Sequence, residues 1–240
     1  MKKILFFLFS LPLVAQGAFE SIDCEEESIF ENPAKLSRGI QTLWVESFGI
    51  LPYARISYSM SNFGVGISNF GNELYRENEI LLGYGWSCEK REFGILLRGM
   101  SMWIKDNENN YTIGLDFGAN IRITPSSNFS LSLQNINFPK ISGEEVPKRV
   151  MGEFVTKPMS DFTSRIQLYK ESRYPMEIRL RNEIKLSELL SLGVGMKTYP
   201  SSFSIGVLLN YRGFGISYFA RTHPNLGLTH IIGIKTGGVR

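Results

Sequence analysis

The chain has 240 residues, with 26 Lys and Arg against 23 Asp and Glu, a formal net charge of +3. Charges this closely balanced exclude a polyanion as the main partner, so no nucleic acid is expected. With 43% apolar and 12% aromatic residues the chain is not disordered, and a mean hydropathy near zero excludes a bundle of apolar membrane helices. A membrane β-barrel has a similar average, because its strands alternate apolar with polar residues and no window stands out.

Met1-Lys2-Lys3 is a short positive start, Ile4 to Val14 is almost wholly apolar, and Ala15-Gln16-Gly17 supplies the small residues a signal peptidase reads. Residues 1–17 are therefore expected to be a cleaved secretory signal peptide, too short to span a bilayer. The polar stretch Glu20-Ser21-Ile22-Asp23 separates Cys24 from the apolar run, so no lipid-anchored mature end is expected. Cys24 and Cys88 are the only cysteines, and an oxidising compartment permits a bond between them. Together with His223 and His230 they offer too few ligands for a metal site, and no cofactor motif stands out. His223 and His230 read better as a turn residue and a strand residue than as a general base.

From residue 39 onward the dominant pattern is period-2 alternation; Ser187-Glu188-Leu189-Leu190 alone resembles a helical turn. Tyr111, Ile113, Leu115, Phe117, Ala119 and Ile121 alternate with Thr112, Gly114, Asp116, Gly118, Asn120 and Arg122. Similar alternation runs through Met176–Leu186, Leu190–Met196 and Phe203–Tyr211. Turn signals place fourteen strands at 39–49, 52–61, 62–70, 76–87, 91–104, 110–123, 127–138, 148–158, 161–170, 175–186, 189–198, 201–211, 213–222 and 226–236. No linker divides residues 39–240, which form one all-β domain. Tighter connections such as Ser87–Lys90 alternate with longer ones such as Pro139–Lys148, the pattern of periplasmic turns and external loops.

Alternation does not say whether the apolar face meets lipid or a core, and a soluble β-sandwich gives the same string. Three features favour a closed antiparallel transmembrane barrel. Fourteen similar strands exceed an ordinary sandwich. The polar faces are glycine-rich or charged, at Arg98, Asp116, Arg122, Arg179, Arg181 and Arg221. Aromatics gather toward strand ends, at Trp44, Phe48, Tyr53, Trp86, Trp103, Tyr111, Phe129, Tyr211 and Phe214, where interfacial girdles sit.

Two motifs carry a family resemblance. Glu31-Asn32-Pro33-Ala34-Lys35-Leu36 resembles the N-P-A-x-L segment near the mature N-terminus of the outer-membrane long-chain fatty-acid transporter (FadL-like) superfamily, in particular its PorV-like branch. His223-Pro224-Asn225-Leu226-Gly227-Leu228-Thr229-His230 resembles the turn that leads into the last strand of that branch. The resemblance implies a fourteen-stranded outer-membrane barrel whose N-terminal segment, residues 18–38 with Asn32, Pro33 and Ala34, folds inward as a plug. Its members pass small hydrophobic molecules or act as accessory barrels in export through a secretion or periplasmic partner. In this topology Cys24 belongs to the plug and Cys88 to a periplasmic turn, and a disulfide between them would tether the plug.

On the polar faces, Glu177, Arg179, Arg181, Glu183 and Lys185 read either as a selectivity strip or as a charge ladder neutralised by neighbouring strands. No nucleophile–base pattern rises above chance, so the chain does not read as an enzyme. The expected function is a passive channel or transporter for small molecules in the outer membrane of a Gram-negative-type bacterium. The alternatives are a structural or secretion-accessory barrel with a blocked lumen, and a soluble secreted β-protein.

Overall fold

The computed structural model describes residues 29–36, 38–47, 51–106, 109–223 and 227–237. The expected signal peptide, Cys24, Phe48 and the centre of the His223–His230 motif lie outside them. The described strands are β1 (Gly39–Ser47), β2 (Leu51–Met60), β3 (Phe63–Gly71), β4 (Tyr75–Cys88), β5 (Arg91–Ile104), β6 (Asn110–Thr124) and β7 (Ser127–Gln134). A small hairpin follows, β8 (Lys140–Ile141) with β9 (Glu144–Glu145). The chain then continues through β10 (Arg149–Met159), β11 (Phe162–Glu171), β12 (Glu177–Lys185), β13 (Leu190–Thr198), β14 (Ser201–Tyr211), β15 (Phe214–His223) and β16 (Gly227–Thr236). All but β8 and β9 form one closed antiparallel barrel of fourteen strands, each paired with its chain neighbours and β1 sealed to β16. It is a single closed sheet, not two packed ones.

Two-residue turns join the strands at one end. Met60 faces Phe63, Cys88 faces Arg91, and Tyr211 faces Phe214. In the last of these, Arg212 and Gly213 both take positive φ (49° and 82°), the conformation whose twist matches an antiparallel hairpin. Most longer connections gather at the opposite, loop end, which also holds the two-residue Tyr199-Pro200 turn between β13 and β14.

One expected boundary is corrected. The seventh strand was expected to run to residue 138, and β7 ends at Gln134 because Asn135 turns left-handed (φ 57°). Its backbone N–H donates to Asp116 Oδ1 at 2.8 Å and its side chain to the Pro147 carbonyl at 2.9 Å. The longer β6 still has backbone to satisfy on that side. Asn137 supplies it, accepting from Leu115 N–H and donating to the Ile113 carbonyl, both at 2.8 Å. The helical-looking Ser187–Leu190 is also a turn, in which Ser187 Oγ accepts from the N–H groups of Leu189 and Leu190.

Burial resolves which face points where. Val65, Ile67, Ile80, Leu82, Ile95, Leu97, Ile205 and Val207 are exposed on the outside. The alternate residues Ser68, Glu79, Arg98, Asp116, Ser130, Glu153 and Gln167 are buried inside. Trp44, Trp86, Tyr111, Phe129, Tyr211 and Phe214 are exposed, whereas Tyr53 is buried. Tyr53 joins Leu43, Val45, Phe70, Leu208, Phe219 and Ile231 in an interior apolar cluster, so it is no part of an outer girdle.

Because barrel strands tilt, a row of paired residues climbs as it passes around the wall. One row starts at Phe162, the first residue of β11 beside its short turn, and runs through Ile184, Leu192, Val207, Tyr218, Ile232, Trp44 and Ala54. It continues through Asn69, Asn78 and Ser101 to Tyr111 at the loop end. All the residues as far as Ala54 are apolar or aromatic, and polarity begins at Asn69. A strand spacing of about 4.8 Å and a tilt of roughly 40° raise each step by about 3 Å, so the apolar part is about 22 Å tall. Membrane-spanning barrels carry an apolar band of about 25 Å.

This row sets a test of depth. Arginine at Val207, mid-belt, is expected to lower the unfolding free energy by about 2–4 kcal/mol, and Asn69→Arg, at the upper edge, by about 0–1. Denaturant titration of the barrel folded into phospholipid vesicles measures both.

Candidate functional site

The candidate site is the barrel lumen, and a segment of the chain itself shapes it. Residues 29–36 lie against the inner faces of β2–β7 and β10. Within this segment Asn32 builds a tight turn: its Oδ1 accepts from Ala34 N–H at 2.9 Å and its carbonyl from Lys35 N–H at 3.1 Å. The Asn32 amide then donates to the carbonyls of Ala119 and Leu131 on the wall, at 3.4 and 3.3 Å.

This approach requires bare backbone on the facing strands. A Cβ at Gly118 would strike Asn32 Oδ1, and one at Gly94 would strike the Pro33 backbone. Added Cβ atoms at Gly64 and Gly83 would sit 2.7 and 2.8 Å from the Ile29 side chain. The glycines of β3–β6 are thus the seat of the segment. Ile29 and Phe30 pack there with Leu81, Leu96 and Leu36.

Polar groups complete the attachment. Ser132 Oγ donates to the Glu31 carbonyl at 2.6 Å, and Gln134 donates to the carbonyls of Phe30 and Glu31 at 3.0 and 3.3 Å. Arg98 also reaches the Phe30 carbonyl, at 3.3 Å. The Arg55 guanidinium stands 5.1 Å from the centre of the Phe30 ring and 3.9 Å from Glu31 Oε1. Lys35 forms a buried ion pair with Glu153, which also accepts from Gln167 at 2.6 Å and lies 3.5 Å from Arg165.

Of the residues singled out in the sequence, Arg98 and Asp116 come together. Arg98 donates twice to Asp116 Oδ2, at 2.7 and 3.0 Å, and once to Glu79 Oε1 at 3.0 Å. Ser68 donates to the other Glu79 oxygen at 3.0 Å, so the three charges form one hydrogen-bonded cluster away from solvent. Glu177 and Arg179 are buried and ion-paired, with Arg179 4.3 Å from the centre of the Tyr169 ring. Arg181 stands 4.7 Å from the centre of the inward Phe219 ring. Glu183 and Arg221 are half-buried, while Arg122 and Lys185 are exposed. Asn32, Pro33 and Ala34 are buried in the seat just described. Cys88 is exposed at the short-turn end of β4. His230 is exposed, its ring stacked on Tyr218 and its Nδ1 2.8 Å from the Tyr218 hydroxyl. Among the described residues no group of three or more His, Cys, Asp and Glu side chains is placed to hold a metal.

Sequence reasoning passed over Lys35, Arg55, Glu79, Arg149, Glu153 and Glu171. Arg149 donates to Glu171 and to Gln134, both at 3.3 Å. The signal was present in β11, where Gln167 and Glu171 share a phase with Thr163 and Arg165, and weak in β10, where Arg149 and Glu153 share theirs with Met151 and Val155. Pairing partners far apart in the chain needed the register.

The half of the lumen lined by β14–β16, β1 and β2 is built differently. The apolar cluster of Leu43, Val45, Phe219 and Ile231 fills part of it. Below lies a cavity of about 60 Å³ whose lining includes Gln41, Arg55, Leu208, Asn210, Ser217 and Lys235. The arrangement as a whole is an interior narrowed by its own chain, with buried cations and anions interleaved along the wall.

No family model and no curated protein sequence matches the chain. Solved structures do match. The CymD monoaromatic hydrocarbon channel superposes with a TM-score of 0.60 at 10% identity, covering 91% of this chain and 94% of that one. The toluene transporter TbuX of Ralstonia pickettii gives 0.60 at 8% identity over 87% and 92%. The outer-membrane protein Omp33 of Acinetobacter baumannii gives 0.56 at 7% identity over 85% and 99%. At these identities the likeness is one of fold, and the fold shared is that of outer-membrane barrels.

Proposed function

We propose that the chain is an outer-membrane β-barrel acting as a passive channel or transporter for small molecules, with residues 29–36 narrowing the passage as a plug. The observation that carries this reading is the inversion of the two faces, an apolar belt outside a closed wall and charged, hydrogen-bonded groups within. Such an exterior is a liability in water and a match to lipid. It disfavours the soluble secreted alternative. The hydrocarbon channels among the structural neighbours support a small hydrophobic cargo, and the N-P-A segment supports kinship with the fatty-acid transporter superfamily. The PorV-like affinity rests on the two end motifs alone. Within the plug reading, a Cys24–Cys88 disulfide would hold the segment from the short-turn side, and Glu177, Arg179, Arg181 and Glu183 would tune what passes the opposite wall. The neighbours are channels and porins, which supports a role without catalysis.

A second reading, an accessory barrel with a blocked lumen, draws on the density of contacts around residues 29–36. It requires a partner that stays with the barrel through detergent extraction, and isolation as a monomer from native membranes would count against it.

Three outcomes are expected. Proteoliposomes carrying the full chain should pass small solutes faster than empty liposomes; equal rates would remove the channel reading. Lys35→Ala, which unfastens one end of the segment, should raise planar-bilayer conductance at least twofold while the heat-modifiable gel shift persists. Arg98→Ala strands Asp116 and Glu79 in the interior, and denaturant titration should show a loss of about 3–5 kcal/mol, the usual cost of removing one partner from a buried ion pair.

A further inference from the structure

The outer surface carries a feature that neither the apolar belt nor the lumen uses. β4, β5 and β6 run for 14, 14 and 15 residues, against 9 to 11 in β10–β16. Along the climbing row their outward residues lie above the apolar part, so this wall continues past the top of the belt. On it, Asn69 donates to Asn78 at 2.6 Å and Asn78 to Ser101 at 3.3 Å, a chain of side-chain hydrogen bonds across three strands. Arg76 pairs across strands with Trp103, and its guanidinium stands 5.9 Å from the centre of that ring. Tyr111, beside Ser101 on β6, is 71% exposed. The nearby acids Glu73 and Asp106 sit in the connections above, outside these outward rows.

We propose that this patch binds the phosphorylated sugar headgroup of an outer-leaflet glycolipid. The proposal rests on the outer-membrane reading. The patch continues the apolar belt upward without a break, so whatever lipid covers Ile67, Ile80 and Ile113 presents its headgroup at Asn69, Asn78, Ser101 and Arg76. The chemistry suits a charged sugar. Amides and a hydroxyl exchange hydrogen bonds with sugar hydroxyls, the amphipathic rings of Trp103 and Tyr111 offer flat faces at headgroup height, and Arg76 meets a phosphate. Ring contact also holds the guanidinium plane in place.

The test uses the full chain in nanodiscs made with a diphosphorylated glycolipid, its dephosphorylated form, or phosphatidylglycerol, with lipid retained per barrel read by native mass spectrometry. The wild type should retain the diphosphorylated glycolipid at least fivefold better than phosphatidylglycerol. Arg76→Ala should lower retention of the diphosphorylated form to that of the dephosphorylated form, which it leaves unchanged, Arg76→Lys should keep part of the difference, and Asn78→Leu should weaken both glycolipids. Equal retention by wild type and an Arg76→Ala/Asn78→Leu double variant would overturn the proposal, as would equal retention of glycolipid and phosphatidylglycerol by the wild type. Heat-modifiable migration and vesicle insertion are scored first on each protein. Failure there sinks the outer-membrane reading and this proposal with it, whereas success there with failure on the glycolipid sinks this proposal alone.

Discussion

The eight-residue pairing of β1 with β16, from Ile40 opposite Thr236 to Ser47 opposite Thr229, closes a hydrogen-bond ladder that would otherwise present two raw edges. A backbone facing lipid has no water to bond, so closure is the condition under which the apolar exterior is stable at all. It also separates the two faces permanently. Every strand must place apolar groups outward and find an interior solution for the rest, and a fourteen-strand wall encloses more space than its own side chains fill. The seating of residues 29–36 and the two interior apolar clusters are responses to that surplus.

The interior solution is mainly electrostatic on one side, around the small apolar seat of Ile29 and Phe30, and mainly apolar on the other. Between β4 and β11 the charges occur in compensated groups: Arg98 with Glu79 and Asp116, Arg149 with Glu171, Lys35 and Arg165 with Glu153. Such groups add little net stability over apolar replacements, but each member is costly to remove alone. Their geometry therefore fixes which residues face which. Two of these groups also hold residues 29–36, through Lys35 and through the Phe30 carbonyl. The opposite side, with Leu43, Leu208, Phe219 and Ile231, imposes shape but little orientation, and the cavity lies there.

Much of the fold was legible because period 2 is a local signal. Alternation from Tyr111 to Ile121, and from Phe203 to Tyr211, marks strand and phase together. The end of β7 was hard to read, since the residues after Gln134 still alternate, with only a one-residue slip of the apolar phase from Phe129, Leu131 and Leu133 to Ile136 and Phe138. What stops it is Asn135 bonding to Asp116, a residue 19 positions earlier. In β1 and β16 the phase itself is ambiguous: Ile231 and Ile232 are adjacent and both apolar, yet one is buried and the other 44% exposed. Arg98 and Asp116 were visible as charges on a polar face, whereas Glu153 and Lys35 gain meaning only when the fold brings together two residues 118 positions apart. The sequence motif around Asn32 marked the segment, and small residues on the polar faces could be read as room for a plug, but which glycines receive it follows only from the fold.

The contacts described for residues 29–36 fall on β2–β7 and β10, and they span sequence separations of up to 118 residues. None of those strands needs the β1–β16 seam in order to pair with its neighbours. A curved sheet from β2 to β10 already offers the glycine seat, the Ser132 and Gln134 donors and Glu153. During assembly the segment can therefore dock on an open sheet, while the lumen is still a concave face, and be enclosed when the last strands arrive. Long-range contacts of this kind are slow to form, and a surface that exposes them before closure spares the chain from threading a finished cylinder. The glycines of β3–β6 that seat the segment thus lie entirely on strands that pair without the β1–β16 seam.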